Sequence, residues 1–108
     1  MDLGLFMMPI HPPEKSRTEC FEEDIELIVL ADELGFKEAW IGQHHSVMWE
    51  PIPSNDLFIS NLLPRTKNIR LGTGVSILTQ HHPVTALHSN GGYQQLSMKF
   101  PHLGFYGQ

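Results

Sequence analysis

One cysteine, Cys20, has nothing to pair with inside this chain, which excludes an internal disulfide framework and a thiolate-built metal site. Basic residues are also scarce. Seven Lys and Arg against twelve Asp and Glu leave a formal net charge of -5, which argues against nucleic acid as a partner because phosphate-backbone affinity comes from clustered positive charge. The same acidity does not suit an anionic membrane surface. No stretch approaches the roughly 18 apolar residues that cross a bilayer. The start of the chain lacks the basic segment, apolar core and small-residue cleavage site of a secretory signal, since Asp2 precedes a short apolar run that Pro9 closes. A cytoplasmic location is the expectation.

What is present in the 108 residues is a 41% hydrophobic share, enough for one globular unit, and seven histidines. Four of these form adjacent pairs, His44-His45 and His81-His82. Leu3 to Met8 reads as a buried strand that empties into a loop at Pro9, Pro12 and Pro13. Ser16 and Glu19 have capping-box spacing, Leu27, Leu30, Ala31 and Leu34 recur at helical intervals, and Gly35 supplies a stop. The spacing therefore predicts a helix from about Glu19 to Leu34. Its acidic residues Glu22, Glu23, Asp24 and Glu26 are read as a solvated face near the positive end of the helix dipole. Lys37 to Gly42 predicts a second strand and Ser46 to Pro53 a loop. A short helix through Leu57 to Leu63, capped by Ser54 or Asn55, follows, and Ile69 to Leu78 predicts a third strand. Beyond it, Val84, Leu87 and Leu96 are weakly helical and Phe100 to Phe105 predicts a fourth strand.

Strand and helix alternate throughout, which is the pattern of a parallel sheet buried by crossover helices. That makes the fold class α/β and leaves two architectures open. The first strand lacks the glycine-rich turn of a dinucleotide fold, which favours parallel β/α units of a TIM-type barrel over a doubly wound sheet. In such a barrel the site collects at the C-terminal strand ends, here near His11, Gln43 to His45, Thr79 to His82 and Gly104 to Gln108. Neighbouring residues of a strand face opposite ways, so at most one histidine of each pair should face a ligand. Such a histidine could move protons near neutral pH, or it could simply cap a strand end. Gly72-Thr73-Gly74 is either a bulge or a place where the backbone can come close to a flat cofactor. Trp40 and Trp49 are read as core and loop packing, and Glu50 as solvated.

Taken in order, LGLFMMPIHPP, ADELGFKEAWIGQHH, PRTKNIRLGTGVSIL and HHPV resemble the bacterial luciferase-like flavin monooxygenases, and YQQLSMKFPHLGFYG continues the likeness less closely. The resemblance implies a β/α barrel that binds reduced FMN, or in some relatives a deazaflavin, and oxidises a small organic substrate with O2. A flavin reductase would serve as the source of reduced FMN. It implies that His44 is catalytic through proton transfer and that Gly74 and Val75, with Thr73 beside them, contact the flavin. A non-proline cis peptide is implied at Gly74-Val75. Gln43 stands where luciferase has an acidic residue, so its aldehyde substrate does not carry over. Two further departures, at Met98-Lys99-Phe100 and at Gly107, put a phosphate contact in doubt.

A complete barrel takes about 250 residues. Residues 1–108 are therefore expected to be one partial barrel domain, the first half, weakly active or inactive alone and associating as a homo- or hetero-oligomer. Two other readings stay open. One is a metal-dependent hydrolase ligated by His44 and His81; the other is a non-catalytic half-barrel whose open strand edges pair with a partner chain.

Overall fold

The computed structural model describes residues 1–85; the expected fourth strand lies outside the described residues, as does the weak helix before it apart from its start, residues 83–85, which are helical. Five main elements follow one another: β1 (Gly4–Met7), α1 (Arg17–Glu33), β2 (Glu38–Ile41), α2 (Asn55–Leu62) and β3 (Arg70–Thr73), with a 3₁₀ turn at Leu78–Gln80. All pairing is parallel and the strands lie in the order β1-β2-β3. Register aligns Phe6 with Trp40 and Gly72, and Met7 with Ile41 and Thr73.

Side chains alternate across such a sheet, so two faces form. Met7, Ala39, Ile41 and Leu71 point toward the helices and pack with Ile28 and Ala31 of α1 and Phe58, Ile59 and Leu62 of α2. Burying each large aliphatic or aromatic side chain there contributes about 1.5–3 kcal/mol. The two helices meet at Phe21 and Phe58, whose ring centroids are 6.0 Å apart. Sequential strand order with both crossovers on one side is the arrangement of a β/α barrel, whereas a doubly wound sheet reverses order and clothes both faces. The opposite face carries the Phe6, Trp40, Gly72 row, and Phe6 is 58% exposed on it. Rows of this kind form the packed layers inside a closed barrel. Among the described residues, no helix is long and apolar enough to cross a membrane.

The capping box forms as expected: Glu19 N donates to Ser16 Oγ at 3.2 Å and Ser16 N to the Glu19 carboxylate at 3.2 Å. Gly35, at φ 86°, ends the helix in the left-handed region that favours glycine. The acidic face of α1 is not uniformly solvated, which corrects the sequence expectation. Asp24 is only 5% exposed, with His11 Nε2 3.0 Å from both of its oxygens, so it clips the β1 exit loop to the helix. Periodicity could not separate Asp24 from Glu22 because its partner lies 13 residues away. At the other end of α1, the carboxylate of Asp32 accepts from the backbone N–H groups of Lys67 at 2.6 Å, Asn68 at 2.9 Å and Ile69 at 2.8 Å. It thereby fixes where β3 enters the sheet.

The third strand is shorter than the expected Ile69 to Leu78. Gly74 N still donates to Ile41 O at 2.8 Å, after which the chain leaves the sheet and turns through Gln80 N to Ile77 O at 3.0 Å. An apolar run reads alike to a periodicity argument whether it is paired or turning.

Asp32→Ala strips a charged acceptor from three N–H groups and is expected to cost about 3 kcal/mol in a urea unfolding curve. A loss under about 1 kcal/mol would mean that water replaces the carboxylate without penalty. Burial pushes the Asp24 carboxyl above its ordinary 3.8, and the hydrogen bond and charge of His11 only partly offset this. A folded pKa raised in this way gives stability that is fully present below the unfolded value and lost as pH rises through the folded one. Wild-type stability should therefore fall relative to Asp24→Asn between acid and neutral pH; a flat difference would contradict the assignment.

Candidate active site

The C-terminal ends of β2 and β3 are tied together by one buried side chain. Asn55, 2% exposed at the first turn of α2, donates from Nδ2 to Ile41 O at 3.0 Å and to Val75 O at 3.2 Å. Its own N–H donates to Gln43 Oε1 at 3.1 Å. Ser54 takes the N-cap position without a side-chain cap hydrogen bond, so Gln43, from the preceding strand exit, does the capping instead. Gln43 is 6% exposed, and its Nε2 is a buried donor without a partner among the described residues.

His44 leaves β2 and Gly74-Val75 leaves β3 at this same end, just beyond the paired Ile41 and Thr73. The Gly74-Val75 peptide is cis, as the resemblance implies. A Cβ on Gly74 would stand 2.8 Å from Phe6 Cε2 and 3.4 Å from Trp40 Cβ, so a side chain here would displace the Phe6 ring on the helix-free face. Val75 is 62% exposed, and Thr73, half-buried, accepts from Ser76 Oγ at 3.2 Å.

The structure thus gathers His44, Gln43, Thr73, Gly74 and Val75 at one rim. His11, expected at the same rim, has its ring committed to Asp24. The His44-His45 pair lies beyond the strand, where the pleat argument does not apply. His44 Nδ1 lies directly against Glu50 Oε2, and His45 is exposed. In the second pair His82 Nδ1 accepts from Val84 N at 3.3 Å, the local capping role, and His81 is half-buried. Among the described residues no three His, Cys, Asp or Glu side chains gather as a metal would need, so nothing here favours the hydrolase reading.

Sequence reasoning missed two residues. Glu50, read as solvated, has a side chain only 14% exposed and turned onto His44. The signal available was the pair of prolines after it, Pro51 and Pro53, which return the loop to the core at Ile52. Asn55 was weighed only as a cap, and its bridging amide depends on a contact 20 residues away. Trp40, read as core, is half-buried in the Phe6 row, while Trp49 stands in the loop as expected, 52% exposed, with its carbonyl accepting from His11 N at 2.7 Å.

Comparison with known proteins agrees with this geometry. The chain is similar to 4-hydroxyprotoasukamycin monooxygenase of Streptomyces nodosus subsp. asukaensis, 42% identical over 83 residues covering 77% of this chain and 22% of that protein. It is 39% identical to limonene 1,2-monooxygenase of Rhodococcus erythropolis over 77% of this chain and 21% of the relative. Its fold matches the oxygenating constituent of 3,6-diketocamphane monooxygenase from the CAM plasmid of Pseudomonas putida, a type II Baeyer–Villiger monooxygenase solved in complex with FMN. That match has a TM-score of 0.83 and 30% identity, and it covers 100% of this chain and 30% of that one. The chain therefore spans less than a third of the length of each of these relatives. The family of luciferase-like monooxygenases matches residues 1–98, and the chain belongs to that family.

Proposed function

We propose that this chain carries the first β/α units of an FMN-dependent monooxygenase, residues 1–108 forming part of one barrel domain, and that its rim holds the flavin ring. The observation that carries the reading is that His44 and Gly74-Val75 leave adjacent, paired strands at the same end. The residues present fit a flat, acceptor-rich ring. Gln43 Nε2 offers a buried donor without a partner among the described residues, and Gly74, lacking a Cβ, lets the Phe6 ring and the rim backbone approach closely. Bound and reduced, FMN supplies the electrons that activate O2 for transfer of an oxygen atom to a small organic substrate. The protein's own residues do the rest. Gly74 and Val75 give the ring a close, apolar backbone surface, Thr73 borders it, and His44 moves a proton at its imidazole.

The similar Pseudomonas protein is described as an oxygenating constituent. A division of labour follows for this protein, with a separate flavin reductase delivering reduced FMN. A soluble cytoplasmic setting, where reduced flavin is made, suits that chemistry, as does an assembly of two or more chains. The contacts assigned to the rim are to the ring and not to the phosphate. Riboflavin and FMN should therefore quench on titration with nearly equal affinity, each near roughly 100 µM. Gly74→Ala should weaken both about tenfold, about 1.4 kcal/mol, and His44→Ala should leave both within about twofold. No quenching by either flavin would favour the non-catalytic associating chain, and a large preference for FMN would place phosphate recognition on this segment.

A further inference from the structure

We infer that Glu50 is the positioning residue for His44: its carboxylate accepts the proton-bearing Nδ1 of the ring and leaves Nε2 as the nitrogen that exchanges a proton with whatever occupies the rim. The purpose of that exchange rests on the monooxygenase reading; the state of the ring does not.

The pair is asymmetric. The side chain of Glu50 is 14% exposed while that of His44 is 43% exposed, so the carboxylate is sheltered and the ring stays reachable. Among the described residues Glu50 Oε2 is buried and receives no hydrogen bond of ordinary geometry, and the polar group lying against it is His44 Nδ1. An ionised carboxylate has only lone pairs to offer, so the neutral tautomer compatible with this contact carries its hydrogen on Nδ1. Nε2 is then an acceptor, able to take a proton and later return it. This is the logic by which a buried carboxylate orients an imidazole in other hydrolytic and transfer sites.

A contact between exposed, flexible polar side chains is worth little, but this one sits in a loop fixed along its length. His44 N donates to Ile52 O at 3.1 Å, closing the loop on itself, and Ile52 is fully buried in the core. Glu50 N reaches Val47 O at 3.4 Å, and Trp49 O, one residue away, accepts from His11 N at 2.7 Å, which pins the loop to the β1 exit. Ser46, at φ 59°, takes the left-handed conformation that turns the chain immediately after the histidines. Ordering a non-glycine residue there has a cost that the surrounding contacts must offset. The outcome is a carboxylate delivered to one specific nitrogen six residues back.

Long-range proton–nitrogen correlation spectra of the ¹⁵N-histidine-labelled chain test this without flavin. They would be recorded at about pH 8.5, two units above the ordinary imidazole range. In the wild type, His44 should show a protonated Nδ1 and an unprotonated Nε2. In Glu50→Gln, whose amide can donate to Nδ1, the two nitrogens should exchange positions in the spectrum, while the backbone amide fingerprint stays in place. In Glu50→Ala the ring should lose its fixed tautomer and give averaged signals. A wild-type ring protonated on Nε2, or a Glu50→Gln spectrum unchanged at His44, would overturn the inference, and the wild-type result stands even if a variant fails to fold. Because no flavin is present, failure here is separate from failure of the flavin titration.

Discussion

The side-chain amide of Asn55 holds the rim together. One nitrogen donates to carbonyls from two different strand exits, Ile41 and Val75, while the backbone N–H of the same residue is satisfied by Gln43. Ile41 O also receives Gly74 N at 2.8 Å, so the amide's distinctive contribution is its bond to Val75 O, a hydrogen bond worth about 0.5–1.5 kcal/mol net. A single side chain at the start of α2 thus couples that helix, the end of β2 and the departure of β3. His44, two residues past Gly42, and Val75, which carries one of the bridged carbonyls, both take their positions from it.

Lower in the sheet, the same division of labour appears with a charge in place of an amide. Asp32 gathers three consecutive N–H groups where the chain returns to form β3, so the strand enters in register with β2. Asp24 and His11 do the corresponding work at the β1 exit. Hydrophobic burial under α1 and α2 supplies most of the driving force, but it is non-directional. The polar clips decide which residues stand at the rim. The helix-free face, with Phe6 and Trp40 in one row and Gly74 letting the Phe6 ring pack closely beside it, is the surface that a barrel interior presents.

Much of the fold was legible because it rests on local rules. Ser16 with Glu19 marks the start of α1, Gly35 marks its end, and the apolar runs at Leu3 to Met8 and Lys37 to Gly42 mark β1 and β2 to within a residue or two. What could not be read depends on contacts between distant residues. Asp24 and Glu22 look alike in sequence, yet only Asp24 meets His11. Glu50 looks like any loop carboxylate until the loop folds back on His44. The run from Val75 to Leu78 carries the composition of a strand and departs from the sheet because nothing in a hydropathy pattern records where pairing ends. The positions of His44, Thr73, Gly74 and Val75 came from likeness to a family whose members are similar over most of this chain, since spacing alone gave the glycines an equally good reading as a bulge.

The central claim is that a flavin ring rests on the rim that Asn55 ties together. Amide chemical-shift mapping of the uniformly ¹⁵N-labelled chain during addition of riboflavin tests it residue by residue. The account predicts the largest shifts at Gln43, His44 and Thr73 to Ser76, with Gly4, Lys37 and Asn68 at the opposite pole of the sheet unmoved. Shifts concentrated at that opposite pole, or on the outer surfaces of α1 and α2, would contradict it.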